Sequence, residues 1–192
     1  MSATSLKPMS VEEYLRTEEA SPYKREYAGG YVYPLHGTRA QAGTSRGHVR
    51  ITLNIVQAFD AVALQMGCLP YAPDMKLRTE TLDNFYYPDV MVVCGQNNGD
   101  LGVAFKTAPC LLIEVFLKSI ARIDCLAKQV AYTALSSLQT YLIVKQTKRK
   151  GYVYQRTDDV WRSSELPRQG SIDLPCLGTT LTLDQIYRAL PI

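Results

Sequence analysis

Two carboxylates interrupt runs that are otherwise apolar and strand-like: Asp89 in Tyr86-Tyr87-Pro88-Asp89-Val90-Met91-Val92-Val93, and Glu114 in Leu111-Leu112-Ile113-Glu114-Val115-Phe116. An ionised carboxylate in such a place needs a partner or a metal to offset its desolvation. One alone reads most simply as a buried salt bridge or a strand end reaching water; two on successive runs shift the balance towards a shared site. Pro88 cannot donate a ladder hydrogen bond, so it marks a strand start or an irregularity beside Asp89, as is common next to active sites. Two carboxylates on neighbouring strands can hold a hard divalent cation such as magnesium, which takes oxygen ligands and keeps several waters, with the Val115 carbonyl as a third ligand. Downstream, Asp124, Lys128 and Tyr132 follow one another at steps of four, so they share a slowly drifting helical face. That spacing fits an exposed Asp-Lys pair beside a partly buried tyrosine equally with a lysine that reaches the metal, activates a water and steadies charge on phosphate.

The elements that must position these groups can be read from periodicity. Ser10-Val11-Glu12-Glu13 fits a capping box opening a helix towards Glu19, which Ser21-Pro22 stops. Gly29-Gly30 between Glu26-Tyr27-Ala28 and Tyr31-Val32-Tyr33 predicts a hairpin. The segment Thr38 to Gly47 is polar and small, a loop reading. From His48 to Met66 the apolar Ile51, Ile55, Val56, Phe59, Val62, Ala63 and Met66 recur at steps of three and four, one buried helical stripe. Strands are predicted at Tyr71 to Thr79, Tyr86 to Cys94 and Cys110 to Leu117, the last two apolar enough for central strands covered on both faces. A helix over 120–135, a buried strand at Tyr141 to Val144, outer strands around Val153-Tyr154 and Val160-Trp161, and a terminal helix from Leu183 to Leu190 complete an α/β sandwich with a mixed sheet.

Composition bounds what this site belongs to. The 192 residues, 46% apolar and 20% charged, suit one soluble domain spanning 1–192, and the formal charge of +3 neither identifies nor excludes a nucleic-acid partner. No signal peptide or membrane span is visible, and the five cysteines form no Cys-x-x-Cys pair and mostly sit in apolar runs. They read as buried thiols of a reducing compartment, giving a cytoplasmic protein without a Cys/His zinc site. His48 opens the long helix, where a lone histidine is more often a local hydrogen-bonding residue, and it is left outside the candidate set. Arg46, Arg50 and the run Lys145-Gln146-Thr147-Lys148-Arg149-Lys150-Gly151 fit phosphate contacts, and the run fits a solvated hairpin turn at least as well.

Pro88-Asp89, Glu114 on the next strand and the helix-borne Lys128 together resemble the PD-(D/E)XK nuclease superfamily, and more closely its uncharacterised Uma-type putative restriction endonuclease family. The resemblance runs nearly the whole length, through Met9-Ser10-Val11-Glu12-Glu13-Tyr14-Leu15, Arg25-Glu26-Tyr27-Ala28-Gly29-Gly30, His48 with Asn54, Asp74-Met75-Lys76, Tyr86 to Val90, Ile113-Glu114-Val115, Arg122 to Lys128 with Tyr132, and Tyr141 to Val144. It implies a restriction-endonuclease-like mixed central β-sheet flanked by helices and a magnesium-dependent endonuclease acting on DNA, with manganese as a substitute. Asp89 and Glu114 would be metal ligands, Glu26 a further acidic residue facing the metal, and Lys128 the catalytic lysine. In the superfamily pattern that lysine stands two positions after the glutamate, where this chain has Phe116. The loop Phe116-Leu117-Lys118-Ser119-Ile120 departs from the Leu-Ser-Pro-Ser-Thr of relatives, which keeps open a second reading, a non-catalytic nuclease-fold module binding nucleic acid or another partner. Nucleases that cut both strands of a duplex are often symmetric homodimers.

Overall fold

The computed structural model describes residues 8–35, 45–79, 83–95, 102, 104–116, 122–166 and 169–192, with the backbone alone for 122–125. Ser10 caps α1 (Val11–Glu19) as its spacing predicts, its hydroxyl accepting the Glu13 N–H at 3.2 Å. Gly29 and Gly30, at φ 59° and 85°, turn the chain from β1 (Arg25–Ala28) into β2 (Tyr31–Pro34). Two positive φ angles match the twist of an antiparallel pair, and L side chains resist both. The stripe of Ile51, Ile55, Phe59 and Ala63 is buried along one side of α2 (Arg46–Gln65), whose N-cap Ser45 accepts the His48 N–H. The loop expected over 38–47 therefore ends earlier; residues 36–44 lie outside the described residues.

The chain continues through β3 (Cys68–Tyr71), β4 (Lys76–Thr79), β5 (Asn84–Tyr86), β6 (Val90–Cys94), β7 (Phe105–Lys106), β8 (Pro109–Phe116) and α3 (Arg122–Thr133). It ends with β9 (Thr140–Lys145), β10 (Gly151–Thr157), β11 (Val160–Glu165), β12 (Ser171–Leu174), a 3-10 turn (Pro175–Leu177), β13 (Thr179–Thr182) and α4 (Leu183–Ile186). A six-stranded sheet runs β11-β10-β9-β8-β6-β3, antiparallel except for β8 and β9, which are parallel and joined across α3. A five-stranded sheet runs β2-β1-β5-β4-β7, and β12-β13 form a hairpin of their own.

Alternation along β8 sorts its residues between two cores. Leu111, Ile113 and Val115 pack with Ile51, Ile55 and Phe59 of α2, while Leu112 and Phe116 pack with Ala131, Tyr132 and Leu135 on the α3 side. Glu114 has the parity of the α3 side, so an acidic residue faces a helix that carries a lysine. This explains why its neighbours in sequence are uniformly buried while it needs a partner.

Several expectations are corrected. The strand predicted over Tyr86 to Cys94 is two strands: β5 belongs to the five-stranded sheet and β6 to the six-stranded one, and the chain crosses between them at Tyr87-Pro88-Asp89, where proline ends the ladder. Tyr71 to Thr79 splits likewise between β3 and β4, next to Pro73 and an Asp74 at φ 103°. The terminal helix is a single turn, because the side-chain amide of Asn54 donates to the carbonyls of Ile186 (3.1 Å) and Arg188 (2.8 Å) and Ala189 turns to φ 61°. Four cysteines expected as thiols form two disulfides, Cys68–Cys94 and Cys110–Cys176. Burial was readable from the apolar runs, but pairing depends on register: Cys68 and Cys94 stand directly opposite each other on β3 and β6.

Candidate functional site

Asp89, Glu114 and Lys128 meet at one end of the six-stranded sheet. β6 and β8 are adjacent, Val90 pairing with Ile113, so Asp89 stands just before the strand and level with the end of β8. Its Oδ2 accepts the Val115 N–H at 2.7 Å, which completes the edge that Pro88 leaves irregular. Its Oδ1 lies 2.9 Å from His48 Nε2, on the first turn of α2. The histidine set aside on sequence grounds is thus a direct partner of the carboxylate.

Lys128 is 4% exposed and projects from α3 into a nest of carboxylates, its Nζ 2.7 Å from Glu26 Oε1 and 3.7 Å from Glu114 Oε1. Glu26 comes from β1 in the other sheet and also accepts the Tyr87 N–H at 3.3 Å, so it ties the hairpin to the segment that carries Asp89. Tyr132, one turn after Lys128, donates its hydroxyl to Glu114 Oε1 at 3.0 Å. The step of four from Lys128 to Tyr132 therefore turns an ammonium and a hydroxyl donor towards one buried oxygen, and Lys128 is buried where the spacing alone allowed an exposed lysine; the side chain of Asp124 lies outside the described residues.

Burial pushes the Glu114 carboxyl up to about 8, with the Asp89 and Glu26 carboxylates adding to the rise and Lys128 and the Tyr132 hydroxyl opposing it. Two carboxylates share one ammonium here, with Asp89 close enough to add its repulsion, so acidic groups outnumber the lysine in a poorly solvated place. Among the described residues no group of three His, Cys, Asp or Glu side chains is disposed to hold a metal ion by itself.

A further carboxylate that sequence reasoning passed over supports this one. Glu18, near the end of α1, accepts from Arg25 N and Nε, both at 2.8 Å, and from the Tyr87 hydroxyl at 2.9 Å. It fixes both neighbours of the site, the start of β1 and the Tyr87 crossing. Its only sequence signal is position in a helix with an otherwise solvated acidic face, which is no signal. Lys118, on the altered loop, lies outside the described residues.

Residues 11–184 match the model of the Uma2 family, described as a putative restriction endonuclease. The chain belongs to the Uma2 family. It is 30% identical to the uncharacterized protein slr1290 of Synechocystis sp. over 183 residues, covering 95% of this chain and 93% of that protein. The uncharacterized protein sll1609 of the same organism is 30% identical over 174 residues, covering 86% and 92%. The fold resembles a crystal structure of a putative nuclease belonging to DUF820 from Anabaena variabilis, with a TM-score of 0.71 at 13% identity over 94% of this chain and 98% of that one. This Uma2 chain therefore has the fold of that protein, mixed sheets flanked by helices.

Proposed function

We propose that this protein is an endonuclease that hydrolyses phosphodiester bonds of DNA with the help of a divalent cation, magnesium or in its place manganese. The observation that carries the reading is the burial of Lys128 between Glu26 and Glu114 at the strand end where Asp89 stands. A lysine serving only solubility would not be placed there, because its desolvation is costly.

The donor set fits a hard cation of the magnesium type. Such an ion is commonly held by one or two carboxylates, completes its shell with water and substrate phosphate, and needs no three-residue protein cage. Asp89 and Glu114 would hold it, and such an ion would offset both the burial of the Glu114 carboxyl and its repulsion from Asp89 and Glu26. Glu26, expected beside the metal, has one oxygen on Lys128 and Tyr87, so its role in this reading is to hold the lysine. When bound, the cation would polarise the scissile phosphate and favour ionisation of a water.

The chain's own groups then divide the remaining work. The Lys128 ammonium, aimed by Glu26, orients the attacking water and steadies negative charge on the phosphate oxygens. Tyr132 keeps Glu114 turned towards the lysine by its hydroxyl bond. Val115 N–H holds Asp89 on the same edge.

Incubation of supercoiled plasmid and single-stranded circular DNA with the protein in magnesium, manganese or chelator tests this. The expected result is nicking or linearisation with either metal, none with chelator, and loss in Asp89→Asn. Cleavage that survives chelation would refute the metal reading, and DNA binding without cleavage under any metal would favour a binding module of the same fold.

A further inference from the structure

His48 belongs to a closed circuit of polar contacts around Asp89. The Ser45 hydroxyl accepts the His48 N–H at 3.3 Å and also the side-chain amide of Gln146, from the turn after β9. The Gln146 N–H in turn donates to the Phe116 carbonyl at 3.0 Å, at the end of β8. Val115, the residue before, donates to one Asp89 oxygen, and His48 meets the other. The circuit thus runs from α2 through Asp89 and β8 to the β9 turn and back to Ser45. Gly47 is part of it: a Cβ there would lie 3.1 Å from the Gln146 amide nitrogen, so the turn is seated closely on the start of α2.

From this geometry we infer that His48 is a positioning residue that holds the Asp89 carboxylate in its cation-binding orientation. The inference rests on the reading of Asp89 as a metal ligand. Each carboxylate oxygen has two lone-pair directions, so one donor per oxygen fixes the plane of the group and leaves directions for a cation. A donor on one oxygen alone would leave Asp89, at a strand end next to proline, free to rotate. The histidine side chain is 14% exposed and that of Asp89 17%, so solvent reaches the pair only in part and the bond between them is not readily exchanged for water. A hydrogen-bonded partner of this kind on a metal-binding group typically changes affinity by about 10–100-fold when removed.

Two measurements test it. In metal-free protein at alkaline pH, nitrogen NMR of the imidazole should show the proton on Nε2, and Asp89→Ala should shift that signal; an Nδ1–H tautomer, or no response to Asp89→Ala, overturns the inference. In calorimetry with manganese, His48→Ala should bind about 10–100-fold more weakly than wild type, with little change in melting temperature. His48→Gln, whose amide can donate from a similar position, should recover much of the loss. Unchanged manganese affinity in His48→Ala, alongside lost binding in Asp89→Asn, overturns the positioning role and leaves the metal reading standing. No manganese binding by the wild type removes the metal reading itself, and this inference with it.

Discussion

Lys128 answers two buried carboxylates at once, so its removal reaches beyond catalysis. Lys128→Met leaves Glu26 and Glu114 without their shared cation, and breaking a buried pair from one side costs roughly 3–5 kcal/mol. Urea unfolding at alkaline pH should show a loss of that order, and a smaller one at acid pH, where Glu114 is protonated. Glu114 itself gives a pH dependence of definite sign. Its folded value, about 8, stands above the ordinary carboxylate value of 4.5, so the native state holds a proton that the unfolded chain releases earlier. The stabilisation is complete below the unfolded value and is lost as pH rises through about 8. Glu114→Gln, which mimics the protonated group, should flatten the fall in stability as pH rises from the ordinary carboxylate range to about 8; a profile that keeps the same slope would assign it to another residue. Asp89, Glu114 and Lys128 were legible in sequence because each is a charged group placed in an apolar or helical pattern. Their partners were less so: Glu26 was indicated only through the family resemblance, and Glu18 looks like a solvated acid until the sheets bring β1 against the Tyr87 crossing.

Periodicity located the helices and hairpins, since α2 and the Gly29-Gly30 turn are dictated locally by stripe spacing and by positive φ. It failed where the chain passes from one sheet to the other at Pro73-Asp74 and Tyr87-Pro88-Asp89, because alternation looks the same on both sides of a crossing and only tertiary pairing distinguishes them. The short α4 failed for a related reason. Asn54, deep on α2, donates its side-chain amide to two carbonyls 132 and 134 residues away and stops the helical turn. Asn54→Leu should therefore cost about 1–3 kcal/mol, on the usual scale for two lost hydrogen bonds, and should raise amide exchange at the C-terminal end while leaving β8 protected. Equal protection in both proteins would mean that the C-terminal turn is held by apolar packing of Ile186 and Tyr187 alone.

At the scale of the molecule, the two disulfides join parts that are distant in sequence. Cys110–Cys176 links β8, the strand that carries Glu114, to the C-terminal hairpin across 66 residues, a loop whose closure is typically worth roughly 2–4 kcal/mol. With four of five cysteines paired, thiol titration of the denatured, unreduced protein should count one reactive thiol per chain, and five after reduction. A count of five without reductant would return the cysteines to the buried-thiol state that their apolar runs suggested. Among the described residues no helix is long and apolar enough to cross a membrane.

The claim that Asp89, Glu114 and Lys128 form one cation-dependent site is tested most directly by calorimetric titration of manganese into the whole protein at about pH 6 and about pH 9, in buffers of different ionisation heat. A cation that displaces the Glu114 proton must bind more tightly as pH rises towards about 8 and must release a proton below it. Stoichiometric binding with that pH dependence and proton release is expected, with no release in Glu114→Gln and severe weakening in Asp89→Asn. Binding that is independent of pH and undiminished in both variants would contradict it.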